Sequence, residues 1–209
     1  MLAAAPAVWA QTDQQAVIEG ARKTLADLRH DKEFGNAKTL LRQARAVMIV
    51  PKLYKGGFIV GGEGGDGVVM VRGHAGWSDP AFYAIGAASL GLQIGVQQAE
   101  MIMLVMTEKG VQSLLRDEFK IGAQAGIAVA TLGSGIEGAI AGKSPPDIVV
   151  WSSATGVYGG LTIDGSVIRS KPNDDRAFYG RAVTTRDVLY AATPTNRADA
   201  LRHSLATFG

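Results

Sequence analysis

From Val47 onward the apolar residues come in short runs that glycine interrupts before a helical period can establish itself. The runs are Val47 to Val50, Phe58 to Gly61, Val68 to Arg72, Phe82 to Ala87, Leu92 to Val96 and Met101 to Met106, with more near Ala125 to Ala130, Ile148 to Ser152, Val157 to Ile163 and Val167 to Arg169. Short runs bounded by turn-forming residues read as β-strands. Helical spacing is confined to a few stretches. Ile18, Ala21, Leu25 and Leu28 predict a helix over about Asp13 to His30, capped by Thr12 or Asp13. A second, short helix follows Asn36, with Leu40, Leu41 and Ala44 on one face. Further helical spacing occurs in Thr107 to Asp117, in Arg186 to Ala191 and in Asn196 to Thr207. The expected fold is α+β and β-rich: an antiparallel β-barrel core with about three helices packed on the outside.

No linker divides the 209 residues, a length at which a single core can bury roughly 70% of the unfolded surface. Residues 11–209 are expected to form one domain. The apolar stretch Met1 to Ala10, ending Val8-Trp9-Ala10 before a polar run, reads either as the remnant of an export signal or as a disordered tail. The first reading carries the expectation of an exported, periplasmic or envelope-associated protein. Ile121 to Gly142 contains one charge, Glu137, but its glycines and alanines leave it too poor in aliphatic residues for a membrane span, and it reads as buried strand and loop. Gly62 to Gly67 is expected to be a hairpin turn, and Gly61 to Gly67 and Gly133 to Ser144 are expected to be flexible loops.

Phosphate-binding chemistry fails on context. Gly62-Glu63-Gly64-Gly65-Asp66-Gly67 fits a dinucleotide pattern by letter, yet a strand follows it where a helix N-terminus would have to face the pyrophosphate. Gly133-Ser134-Gly135-Ile136-Glu137-Gly138 is too close to Pro145-Pro146 for the required helix. The same prolines stop Gly142-Lys143-Ser144 from being a Walker loop, and position 137, where that loop needs glycine, holds glutamate. With no cysteine there is no thiolate metal site or thiol nucleophile, and His30, His74 and His203 stand without metal-ligand neighbours. Ser78 beside Asp79 reads as turn chemistry before Pro80. The chain is therefore expected to be no enzyme, with no catalytic residues, no metal and no cofactor.

Charge placement is more specific than the net value of +2. Between Phe34 and Gly62 the chain carries Lys38, Arg42, Arg45, Lys52 and Lys55 and no acid. At ~100° per residue, Lys38, Arg42 and Arg45 form a basic edge beside the apolar face of the second helix. Such an edge can rest on anionic headgroups or simply face water.

Several ordered motifs carry a resemblance to a known family. Ala46-Val47-Met48-Ile49-Val50-Pro51-Lys52, Lys55-Gly56-Gly57-Phe58, Gly65-Asp66-Gly67-Val68, Trp77-Ser78-Asp79-Pro80, Gly91-Leu92-Gln93-Ile94-Gly95, Trp151-Ser152, Gly156-Val157-Tyr158-Gly159-Gly160-Leu161, Asp164-Gly165-Ser166 and Phe178-Tyr179-Gly180 together resemble the SYLF lipid-binding domain, from about Asn36 to Tyr190. Two positions depart from it: Trp151 stands where the family often has tyrosine and Ser134 where it often has proline. The resemblance implies a non-catalytic domain that binds anionic lipids, phosphoinositides in eukaryotic members. A single domain of bacterial type would take phosphatidylglycerol or another envelope lipid. The expected partner is an anionic lipid or membrane surface, touched by Lys38, Arg42, Arg45, Lys52 and Lys55, and no nucleic acid. The alternative is an envelope structural or protein-interaction domain with only weak lipid binding. The motif glycines, and Trp77, Phe178 and Tyr179, are expected to serve turns and core packing.

Overall fold

The computed structural model describes residues 5–30, 37–57, 60–90, 95–121, 129–131, 146–155, 165–191 and 195–208. Helix α1, Ala5–His30, buries Gln14, Ile18, Ala21, Leu25 and Leu28, one stripe at alternating spacings of four and three. It begins at Ala5 rather than Asp13, so Thr12 and Asp13 lie inside the helix and do not cap it. Helix α2, Ala37–Gln43, buries Leu40 and Leu41 and leads through Ala44 into the sheet.

Strands β1 (Ala46–Gly57), β2 (Val60–Gly73), β3 (Gly76–Trp77), β4 (Ala81–Leu90) and β5 (Gly95–Val105) follow in succession. Helix α3, Glu108–Leu114, is capped by Thr107, whose hydroxyl accepts from the Gly110 amide at 3.2 Å. After it come β6 (Glu118–Lys120), β7 (Val129–Thr131), β8 (Ile148–Thr155) and β9 (Val167–Ser170). Helices α4 (Pro172–Tyr179) and α5 (Thr185–Leu189), a 3-10 turn at Asn196–Ala198 and α6 (Asp199–Ala206) complete the described chain. Gly180 closes α4 at φ 66°, a left-handed position that suits glycine.

The strands form one sheet in the order β6-β9-β4-β2-β1-β5-β8-β7, with β3 paired to β2 off this path. Among the described residues every pairing is antiparallel except β7 with β8. The fold is α+β as expected, but the sheet curls into a half-barrel and does not close. Its end strands β6 and β7 are three residues long and have one strand partner each among the described residues, too little to zip a barrel shut. Helices take over the covering: six α-helices occur among the described residues, against about three expected. Helix α4 had no sequence signal, because Pro172-Asn173-Asp174-Asp175-Arg176 shows no apolar period.

A second correction concerns Gly61 to Gly67. The segment is neither a hairpin turn nor a loop: it lies within β2, pairs with β4 throughout, and pairs with β1 from Gly61 to Gly64. The expected strands at Leu92 and at Val157 to Ile163 lie wholly or largely outside the described residues, as does the expected loop from Gly133 to Ser144.

Ala46 to Val50, Met101 to Val105 and Ile148 to Trp151 are buried without a break, so the central strands are covered on both faces. One cluster of buried side chains runs from Ile18 on α1 through these strands to Phe208.

Candidate functional site

Midway along β1 the ladder slips. Pairing is irregular between Ile49 and Tyr54 toward β2 and between Val50 and Leu53 toward β5, and Pro51, which has no N–H to give to a ladder, sits inside that bulge. Glycines let the neighbours close around it. A Cβ on Gly65 would lie 2.3 Å from the Lys52 carbonyl oxygen, one on Gly67 2.4 Å from that of Ile49, and one on Gly20 of α1 2.7 Å from the Pro51 Cβ. The bulge buries Leu53 and turns Lys52 and Tyr54 outward, Tyr54 being 48% exposed.

Beside the bulge a cleft of about 380 Å³ opens between α1 and the sheet. Ala16, Val17, Pro51, Ala84 and Ile85 make its apolar surface, while Asp13, Lys52, Tyr54 and Asp66 supply the polar groups. An adjoining hollow of about 130 Å³ shares Asp13, Val17 and Asp66 with it and adds Gln14, Phe82, Tyr83, Lys171 and Asp174. Lys171 Nζ bridges Asp66 at 2.9 Å and Asp174 at 2.5 Å. Burial alone would lower the Lys171 ammonium, but its hydrogen bonds to the two carboxylates outweigh this and hold it above its ordinary value.

Of the five basic residues singled out in the sequence, the three whose side chains are described, Arg42, Arg45 and Lys52, do not share one patch. Arg42 is exposed on α2. Arg45 is exposed at the start of β1, where it pairs with Glu108 at 3.5 Å. Lys52 lies seven residues further on, about 20 Å away along an extended strand. The backbones of Lys38 and Lys55 lie in α2 and β1, and their side chains are outside the described residues. The sequence reading overlooked Arg72, which joins the Arg42 and Arg45 end: its backbone amide donates to the Arg45 carbonyl at 2.7 Å, and its guanidinium donates to the Leu41 carbonyl at 2.7 Å and lies 4.5 Å from the Trp77 ring centre.

The aromatic and acidic motif residues hold the structure together. Asp79, 3% exposed, accepts from the Thr195 amide at 2.7 Å and pairs with Arg202, tying the C-terminal helix to the strap before β4. The Ser78 hydroxyl accepts from the Val71 amide of β2 at 3.0 Å and donates to the Asp79 carbonyl at 2.8 Å. Tyr179 donates to the Pro80 carbonyl at 2.6 Å and Tyr83 to the Leu114 carbonyl at 2.9 Å. Burial pushes both phenols well above their ordinary value, so they act as hydrogen-bond donors. Among the described residues no group of three His, Asp or Glu side chains can hold a metal ion, and no described helix is long and apolar enough to cross a membrane.

Comparison with known proteins places this architecture. The model of the Ysc84 family, described as Las17-binding protein actin regulator, matches residues 86–208, more than half of the chain. The chain belongs to the Ysc84 family. This bears out the resemblance to the SYLF domain. Human SH3 domain-containing YSC84-like protein 1 is 26% identical over 157 residues, covering 74% of this chain and 46% of the human protein. Its Xenopus laevis counterpart is 27% identical over 136 residues, 64% of this chain and 41% of the frog protein. Protein YSC84 of Saccharomyces cerevisiae is 28% identical over 156 residues, 72% of this chain and 33% of the yeast protein. This Ysc84-family chain thus spans less than half the length of the curated relatives it matches.

Proposed function

We propose that this Ysc84-family chain is a non-catalytic module that docks on an anionic lipid surface, with Lys52 and Tyr54 at the β1 bulge as its leading contact. The observation that carries this reading is the outward pairing of the two side chains on one face of the bulge. Tyr54 and Tyr190 are the large apolar side chains most exposed among the described residues, and Tyr54 stands two positions from a lysine. A tyrosine beside a cation suits the boundary between headgroups and acyl chains, where the ring is half immersed and the ammonium meets phosphate. Lys55 follows on the same strand, and Lys38, Arg42 and Arg45 provide a second basic contact at the far end of β1. Phosphatidylglycerol or a similar lipid of a cell envelope is the proposed surface.

Each basic side chain near such a surface contributes about 1 kcal/mol and is screened beyond ~8 Å at physiological ionic strength. Replacing Lys38, Arg42 and Lys52 by glutamate therefore weakens co-sedimentation with phosphatidylglycerol vesicles by about a hundredfold or more. Binding by the parent falls as salt rises. A variant that folds and binds as the parent does, or parent binding indifferent to salt, sinks the reading in favour of a protein partner. Contact with a protein is what the family description, a Las17-binding actin regulator, states for its members.

A further inference from the structure

The hollow beside the bulge has the wrong charge for an anion. Asp13, Asp66 and Asp174 line it against one ammonium, that of Lys171, which is already engaged by Asp66 and Asp174. Asp13 has no hydrogen-bond or ion-pair partner among the described residues. An independent feature points the same way. Gln14 lines this hollow, is 5% exposed, and its Oε1 has no donor among the described residues. A buried acceptor without a donor is unfavourable until something that donates arrives. A carboxylate or phosphate ligand has no hydrogen to give and would meet repulsion from the aspartates. A neutral water would satisfy Gln14 and leave the excess negative charge in place. An ammonium group answers both needs, with three donors and a positive charge.

The adjoining cleft supplies the rest of the ligand site. It continues from Asp13 and Asp66 over Val17, Pro51, Ala84 and Ile85, an apolar surface next to the acid-lined hollow. We propose that this double cavity binds an amphiphilic primary amine, with its ammonium between Asp13, Asp66 and Gln14 Oε1 and its apolar part on Val17, Pro51 and Ile85. The headgroup of an ethanolamine lipid and a free long-chain amine present the same donors and are the two sources of such a group. The site shares Lys52 and Tyr54 at the mouth of its cleft with the anionic-lipid contact, but the ammonium is held by the acids and amide of the hollow, away from those exposed groups.

Isothermal titration calorimetry on the full chain tests the proposal with octylamine, octanoate and octanol. Octylamine is expected to bind at least tenfold more tightly than either of the others. Asp13→Asn and Gln14→Leu are each expected to weaken octylamine by about tenfold, the usual effect of losing a hydrogen bond to a charged group. Asp13 is exposed, so its variant keeps the test alive if Gln14→Leu does not fold. Short-chain phosphatidylethanolamine and phosphatidylcholine, the latter without N–H donors, then separate the sources. Binding of the first alone identifies a lipid headgroup, and binding of octylamine but neither lipid identifies a free amine. Octanoate binding as tightly as octylamine, or both folded variants matching the parent, overturns the proposal. Arg42→Glu weakens phosphatidylglycerol vesicle binding if the anionic-surface reading holds and leaves octylamine binding alone, so the two readings fail separately.

Discussion

Asp175 is enclosed by protein with, among the described residues, two donors and no salt-bridge partner: the Phe82 amide donates to Oδ1 at 2.7 Å and the Thr185 hydroxyl to Oδ2 at 3.0 Å. These contacts join α4, where Asp175 sits, to the start of β4 and the first turn of α5. Burial pushes its carboxyl up to about 6, and the two hydrogen bonds only partly oppose that. A carboxyl whose folded value exceeds its unfolded value of 3.8 binds its proton more tightly in the folded state. Its contribution to stability is therefore full below about pH 4 and is lost as pH rises through about 6, to the extent of about 3 kcal/mol. Asparagine can accept from Phe82 while the Thr185 hydroxyl turns to accept from its amide. Urea unfolding of parent and Asp175→Asn across this interval is expected to show the variant gaining on the parent as pH rises. A stability difference independent of pH would refute the assignment.

At the scale of the element, β2 shows how glycine can strengthen a strand. Gly65 and Gly67 are the places where the bulged β1 backbone crosses close enough to exclude a side chain. In Gly65→Ala the new methyl meets the Lys52 carbonyl and the Leu53 Cα, both backbone atoms in the middle of a sheet that cannot move aside cheaply. The expected loss is about 1–3 kcal/mol, the usual cost of overpacking. Because the segment pairs with β4 along its whole length and with β1 up to Gly64, the amides of Gly62 to Gly67 that bond within the sheet are expected to exchange slowly in the parent and faster in the variant. Fast exchange across the segment in the parent would contradict the strand.

Across the whole molecule, burial is continuous. The cluster that begins with Ile18 on α1 includes the central strands β1, β5 and β8, the aromatics of α4 and Phe208 near the C-terminus. Phe82 meets Phe178 edge-on at 5.3 Å, and Phe178 meets Tyr179 at 5.0 Å, so β4 and α4 share one packed layer. With no internal boundary in the core, the described chain is expected to unfold in one step. Far-ultraviolet circular dichroism and tryptophan fluorescence, which reports buried Trp77 and Trp151, should give coincident transitions in denaturant. Separate midpoints would show that the C-terminal helices melt independently of the sheet.

The amino-acid sequence by itself determined the α+β class, most strand positions, the apolar stripe of α1 and the family, since each is written in local periodicity or in ordered motifs. It did not reveal that Gly61 to Gly67 is strand, because glycine reads as a turn until the crossing backbone of β1 is present. Helix α4 was illegible for the opposite reason: Asp175, Phe178 and Tyr179 gain their roles only against Phe82, Thr185 and Pro80, far away in sequence or in the next element. Basic residues could be counted from the chain, but their grouping could not. An extended strand carries Lys52 away from Arg45, while folding brings Asp13 of α1 and Asp66 of β2 to the same cleft as Lys52. Charge along a chain is set by composition, whereas the field at a site depends on distance, and only the packing of α1 across the β1 bulge sets those distances.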